Sequence, residues 1–407
     1  MGRFGEGLAA DSDVERAARR AAYGALSRVD GAPDLVVVFA ASTDSADAAR
    51  IVNVVHPMVM ATGNENCVIV GALAGAVMGD THAAGPALGG EPAVSVWAAR
   101  LPGVRVRPFH LQAHRETESI AVGGLPEPWP DDRAVLLFAD PFSFPADGFV
   151  ERANEAVPGL PFVGGLVPGP DGLGSSRLIH GAHVHEEGAV GVLLGGAVDA
   201  AIAVSQGCRP VGPNMTVTAA SGNILQSLAG VPAMDKLREI MDAMTPAQRE
   251  AAATGLHIGL AMDEYAEEHE RGSFLIRGIL GVEQDGQGLA IGDTVAVGRT
   301  VRFQLRDAPS ASEELEAVLA AVRERPGYAK IGGALVVSCN GRAAGLFPPP
   351  MGASHDILAV RAGLDTNAVS GFFGAGEIGP VGGHNHLHGY TASVIAFADS
   401  DGDSPEQ

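Results

Sequence analysis

Cysteine is scarce: three in 407 residues, Cys67, Cys208 and Cys339, far apart and odd in number. No Cys-x-x-Cys pair occurs, so neither a disulfide framework nor a cysteine zinc site is indicated. A reducing compartment, the cytoplasm, is the expected location. Aromatic residues are few (5%), and charged residues, at 18%, are too few for a disordered chain. Basic residues are outnumbered, 27 against 48 acidic, for a net charge of −21. Such a surface repels phosphate backbones and argues against nucleic acid as a general partner. The nearest thing to a basic cluster, Arg16 with Arg19 and Arg20, falls on a helical stretch and reads as a solvated face. No apolar run reaches the roughly 18 residues of a membrane helix. The start MGRFGEGLAADSDVERAARR has no apolar signal core and no Ser or Thr at its sixth position for a myristoylation site. No membrane partner is expected. No repeat of fixed solenoid-type period is visible.

Apolar residues make up 46% of the chain and glycine is abundant, at 55. This composition predicts cores of Ala, Val, Leu and Ile joined by many tight turns. At about 150 residues per domain, the length allows two to three domains. Residues 11–27 predict an amphipathic helix capped by Asp11 or Asp13, and 45–56 a second helix. Strands are predicted at DLVVVFAA (34–41), NCVIVGA (66–72), AVSVWAARL (93–101), VRVRPFHL (104–111), AVLLFAD (134–140), PFVGGL (161–166), AVGVLLGG (189–196) and AIAVSQG (201–207). Pro108 argues against a central place for the fourth.

Beyond residue 222, helices are predicted at 231–241, with Pro232 in the first turn, and up to 253 after a Thr245 cap. Strands follow at 215–220, 257–262, 274–281, 294–298, 300–307 and 333–340, and Ser310-x-x-Glu313 reads as a capping box before a helix at 314–322. A helix near 353–363 and a strand in 389–399 close the pattern. The expected fold class is α/β, of mixed α+β type: two domains, each a mixed sheet with flanking helices. The tail DSDGDSPEQ is acidic and expected to be disordered.

Three motifs carry chemistry. In GFFGAGEIGPVGGHNHLHGYTAS (371–393), Glu377 sits among Gly374, Gly376, Gly379, Gly382 and Gly383. Glycines allow a close backbone approach, so the Glu377 carboxylate either accepts a ligand ammonium or satisfies backbone amides in a buried turn. His384, His386 and His388 alternate and share one strand face, but three ligands from one strand give poor metal geometry, and no metal site is expected. The second motif is VVSCNGRAAGLF (336–347), followed by His355 and Asp356. Arg342 suits either a ligand carboxylate or an internal ion pair. Cys339, His355 and Asp356 are the residue types of a nucleophilic triad. However, His355 and Asp356 are adjacent on a helix and point apart, so no catalytic role is expected. Third, Arg209 in GCRPVGPNMTVT (207–218) is held extended by Pro210 and pins the connection between the halves or reaches their interface. His180, His183 and His185 in HGAHVHEE read as an exposed turn or a weak metal or haem patch.

These stretches, in this order, resemble the FIST family. The 371–393 run resembles the end of its C-terminal domain, and the 207–218 run resembles the junction of its two domains. The resemblance implies an N-terminal domain at 33–222 and a C-terminal domain at 223–398. It implies a sensory protein rather than an enzyme, binding a small ligand such as an amino acid or related metabolite and signalling through a partner protein. The expected ligand contacts are Glu377, His388, Arg342, Asn340, Gly376, Gly379 and Gly382. No cofactor is expected. Because some similar proteins bind haem and sense nitric oxide, a haem sensor is the alternative. A protein-interaction adaptor and a Cys339-dependent enzyme are the others.

Overall fold

A computed structural model describes residues 2–399 apart from 116, 118, 267, 268, 270, 284, 285 and 344. Of the tail expected to be disordered (399–407), residues 400–407 lie outside the described residues, while Asp399 pairs with Lys330 at 2.7 Å. The chain forms two compact units: residues 1–205 with 315–407, and residues 206–314. The boundary expected at 222/223 therefore falls within the second unit, in a hairpin turn.

The first unit is built from one motif used three times. The first copy comprises β1 (Phe4–Ala10), α1 (Val14–Leu26), β2 (Leu35–Ala41), α2 (Asp47–Met60), β3 (Val68–Ala74), the short hairpin β4 (Val77–Gly79) and β5 (His82–Ala84), and β6 (Ala93–Ala99). The second comprises β7 (Val104–Arg115), β8 (Ile120–Gly123), β9 (Asp132–Ala139), α3 (Ala146–Ala156), β10 (Phe162–Leu166), the hairpin β11 (Arg177–His180) and β12 (His183–His185), and β13 (Ala189–Gly196). The third opens with β14 (Ala200–Ser205), and the second unit then intervenes.

The second unit contains β15 (Cys208–Ser221), β16 (Ile224–Leu228), β17 (Val231–Pro232), α4 (Ala233–Ala243), α5 (Pro246–Gly255), β18 (Leu256–Ala261), β19 (Phe274–Val282), β20 (Leu289–Ile291) and β21 (Thr300–Arg306). After α6 (Ala308–Arg323), the third copy resumes with β22 (Ile331–Cys339), α7 (Asn340–Ala343), α8 (His355–Leu364), β23 (Ala368–Gly374), the hairpin β24 (Glu377–Val381) and β25 (His384–His388), and β26 (Ala392–Ala398).

Each copy makes the same four-stranded mixed sheet. Its two inner strands, β2 and β3, β9 and β10, or β22 and β23, run parallel. Each copy then lends its hairpin to another copy: β4–β5 extends β23, β11–β12 extends β3, and β24–β25 extends β10. The register makes residues of the three copies equivalent. Gly71, Gly164 and Gly371 stand opposite Val38, Leu137 and Val336. A Cβ at any of the three would lie 1.8–2.0 Å from the facing carbonyl oxygen, which is why all three positions are glycine. One face of all three sheets supplies a shared core, where Phe39, Phe138 and Phe372 meet with ring centroids 5.0–5.8 Å apart. The outer faces are covered by helices, α1 and α2 on the first sheet, α3 on the second, and α6 and α8 on the third. Strands buried on both faces explain the continuous apolar runs of the sequence.

The second unit is antiparallel. Its strands run β15-β21-β18-β19-β20-β16, and β15 also pairs with β16, closing a six-stranded barrel over a core including Val217, Leu225, Ile258 and Phe303. Closure removes the exposed edges an open sheet would present. Among the described residues, no helix is long and apolar enough to cross a membrane.

Most elements stand where the sequence places them, including the Asp13 cap of α1 and the Thr245–Gln248 capping box of α5. The mixed α+β class is as expected. Some local readings change. β1 was not anticipated, because its glycines and Glu6 break any apolar run. TVAVG (294–298) is an irregular loop ending in a turn rather than a strand. α6 starts before Ser310, whose amide is received by Asp307 Oδ1 at 2.9 Å, so Asp307 serves where Ser310 was expected to. Pro108 lies in β7 opposite Val192, and β8 pairs with β7 only from Gln112 onward, so the missing donor faces no partner strand.

Candidate functional site

β22 ends at Cys339, and the residues after it fold tightly because a buried ion pair holds them. Arg342 donates Nε to Asp356 Oδ2 at 2.8 Å and Nη2 to Oδ1 at 2.7 Å. The Ser338 hydroxyl donates to Oδ2 at 2.5 Å and His355 Nδ1 to Oδ1 at 2.9 Å. Both partners of the ion pair are almost wholly buried. Burial alone would raise the Asp356 carboxyl, but the Arg342 guanidinium and the His355 and Ser338 hydrogen bonds outweigh it and hold the group below the usual carboxylate range. The Phe347 ring stacks on His355 at 3.5 Å. The expectation that Asp356 points away from His355 is therefore corrected: the two are bonded because His355 opens α8 and turns its ring back toward Asp356. Of the two readings of Arg342, the internal ion pair is the one observed.

Glu377 begins β24 and is completely buried. Its Oε2 accepts from the Thr391 amide at 2.9 Å and the Thr391 hydroxyl at 2.8 Å, while Oε1 accepts no hydrogen bond of ordinary geometry among the described residues. The Cys339 thiol lies beside the carboxyl. Burial outweighs the Thr391 bonds and pushes the Glu377 carboxyl up to about 7. Burial, with the Glu377 charge, pushes the Cys339 thiol up to about 12. Such a thiol is protonated at neutral pH and is not an activated nucleophile.

The remaining expected contacts are dispersed. The glycine-rich run is a hairpin, and of its glycines Gly382 and Gly383 take positive φ, at the exposed turn. Gly376 and Gly379 are buried by close packing: a Cβ on Gly379 would lie 2.4 Å from Val204 Cγ2. Asn340 is exposed. His388 is buried with Nε2 on the Gly379 carbonyl at 3.0 Å, while His384 is exposed. Among the described residues, no group of three His, Cys, Asp or Glu side chains is placed to hold a metal. Arg209 pairs with Asp307 at 2.9 Å inside the second unit.

A cavity of about 240 Å3 lies elsewhere in the first unit, lined by Phe4, Gly5 and Glu6 of β1 together with Arg28, Asp80, Arg361, Asn367 and Ala368. Glu6 is 2% exposed, and its Oε1 accepts from the Asp80 amide at 2.8 Å. The Arg28 guanidinium donates to the Glu6 carbonyl, and Arg361 donates to the Asn367 carbonyl and side chain at 2.6 and 2.7 Å. Burial, and then the neighbouring Asp80 carboxylate, push the Glu6 carboxyl up to about 7 against the Asp80 amide and the two arginines. None of these residues was singled out from sequence. They come from five separate stretches, and no spacing rule connects them.

The threefold motif adds a comparison within the chain. Glu6 is equivalent by register to Pro108 and Ile202, and Glu377 to Leu178 and Val77. Two copies keep apolar residues at each position and one copy carries a buried acid. Burying an acid where the other copies hold apolar residues costs stability, and departures of this kind are expected at functional or strained positions.

The sequence matches the FIST N domain over residues 34–231 and the FIST C domain over residues 233–380. It is 38% identical over 403 residues to an uncharacterized protein of Mycobacterium tuberculosis, covering 98% of this chain and 100% of the relative. An uncharacterized protein of Mycobacterium bovis is 36% identical over 403 residues, covering 98% and 99%. The cysteine-to-arginine turn, the buried Glu377 hairpin and both matched domains lie in one continuous chain, which belongs to the FIST family, a family associated with sensory and signal-transduction roles.

Proposed function

We propose that this chain is a sensory protein that binds a small zwitterion, an amino acid or related metabolite, in the Glu6 cavity and passes the signal to a partner protein. The observation that carries this reading is the cavity lining: Arg28 and Arg361 line a space of about 240 Å3 together with Glu6 and Asp80. Guanidinium groups suit a carboxylate and the acids suit an ammonium, so a molecule bearing both matches both kinds of lining group. The ligand contacts expected from sequence around Glu377 give way to these residues, because Glu377 is completely buried and Arg342 is held by Asp356. No catalytic step is assigned. A cytoplasmic location suits three buried cysteines that form no disulfide.

The test is a thermal-shift panel of amino acids, followed by calorimetry with glycine, acetate and methylammonium. Ligands that bind the folded state raise its melting temperature. Glycine or a larger amino acid is expected to bind at least tenfold tighter than either half-ligand, and Glu6→Gln and Arg361→Ala are each expected to weaken it at least tenfold. Acetate binding as tightly as the amino acid, or a panel without any shift, sinks the proposal.

A further inference from the structure

The second copy of the repeated motif departs from the other two at one place. Copy one has α1 between β1 and β2, and copy three has α6 between β14 and β22. Between β7 and β9, copy two has instead β8 and the stretch GLPEPWPD (124–131), whose three prolines do not suit a helix interior. So α3 lacks the neighbour that α2 and α8 have. The fourth residue of each helix differs accordingly. Arg50 of α2 donates Nε to Glu15 of α1 at 3.2 Å. Leu358 of α8 packs against the cluster to which α6 contributes Leu315 and Leu319. Phe149 of α3, which follows Leu137 by the same interval as Arg50 follows the register-equivalent Val38, lines a cavity of about 710 Å3. The β7–β8 hairpin lines the same cavity through Ile120 and Val122, and Pro145 adds to its apolar part. Edge contacts with Phe144 and Phe162, at 5.1 and 5.9 Å between ring centroids, steady the Phe149 ring. Among the described residues lining this cavity, the charged ones are Arg115 of the hairpin and Arg152 of α3, in a chain whose net charge is −21. Arg152 also pairs with Glu155 on the exposed side of α3, an ion pair of a kind that contributes little. Departures from a repeated pattern are expected at functional positions.

We propose that this cavity is a second binding site, for a small amphiphile with an apolar tail and a carboxylate head, such as a medium-chain fatty acid. The tail covers Ile120, Val122, Pro145 and Phe149, and the head pairs with Arg115 and Arg152. Ile120 is 47% exposed on its own, so covering it removes apolar surface from water. The planar guanidinium matches a carboxylate. The volume falls within the roughly 300–1,000 Å3 of small-molecule sites. The site shares no residue with the Glu6 cavity and takes a different class of ligand.

Calorimetry of the full chain with octanoate, 1-octanol and acetate tests this. Octanoate is expected to bind at least tenfold tighter than 1-octanol, which lacks the charge, and than acetate, which lacks the tail. Arg115→Gln with Arg152→Gln should weaken octanoate at least tenfold and leave 1-octanol unchanged, whereas Ile120→Ser should weaken both. All three residues are exposed, so these variants are expected to fold, and circular dichroism checks that they do. Glu6→Gln should bind octanoate like wild type, which separates this site from the Glu6 cavity. Octanoate and 1-octanol binding equally, the double arginine variant binding octanoate like wild type, or no octanoate binding at millimolar concentration each overturns the proposal.

Discussion

Asp356→Ala is expected to lower the unfolding free energy by about 3–5 kcal/mol at pH 7, measured by urea denaturation. The substitution strands the Arg342 guanidinium, whose side chain is 0% exposed, without the carboxylate that receives two of its N–H groups. Ser338 and His355 lose the same acceptor. A double change, Arg342→Met with Asp356→Leu, should recover most of the loss, because apolar pairs of similar volume often replace buried ion pairs without penalty. The sign of the pH effect follows from the depressed Asp356 carboxyl. A lowered folded-state value contributes stability above the unfolded value near 3.8, and that contribution is lost as the medium is acidified below it. A loss under about 1 kcal/mol for Asp356→Ala would show that the network does not hold the turn.

The second large effect runs in the opposite direction with pH. Glu6 and Glu377 are both raised from 4.5 to about 7. A raised folded-state value means that the stabilising contribution is complete below about 4.5 and is lost as pH climbs through 7. Each group accounts for up to about 3 kcal/mol of difference between those limits. The wild type should therefore be more stable at pH 5 than at pH 8. Glu6→Gln with Glu377→Gln should flatten that slope and leave the variant the more stable of the two at pH 8. Denaturation curves at pH 5, 6, 7 and 8 measure it, and parallel pH profiles for the two proteins would refute the buried-acid account.

The candidate residues were legible to different degrees. Cys339, Arg342, Glu377 and His355–Asp356 stood out because glycine and polar residues interrupt apolar strands there, and the structure buries all five. What those residues do was not readable. Arg342 suits a ligand carboxylate or an internal acid, and only the return of α8 beneath β22 supplies Asp356. Thr391, which holds Glu377, gave no signal, since a threonine before a strand is ordinary. Glu6 was hidden by its neighbours: a lone acid among glycines near the start carries no periodicity, and Asp80 and Arg361 are brought to it only by the assembly of sheets.

The sequence by itself determined the elements: period-two and continuous apolar runs for strands, Asp13 and Thr245 for helix starts, glycines for turns, and the order of motifs for the family. These are decided by residues a few positions apart, where backbone sterics and local hydrogen bonds act. Tertiary structure alone decided the threefold motif, the exchange of hairpins among its copies and the splitting of the third copy by a barrel. Strand pairing is set by which apolar faces and edges can be buried together, and that choice is made between residues hundreds of positions apart. The two buried acids depend on the same long-range choice, because their surroundings come from strands and helices distant in the chain.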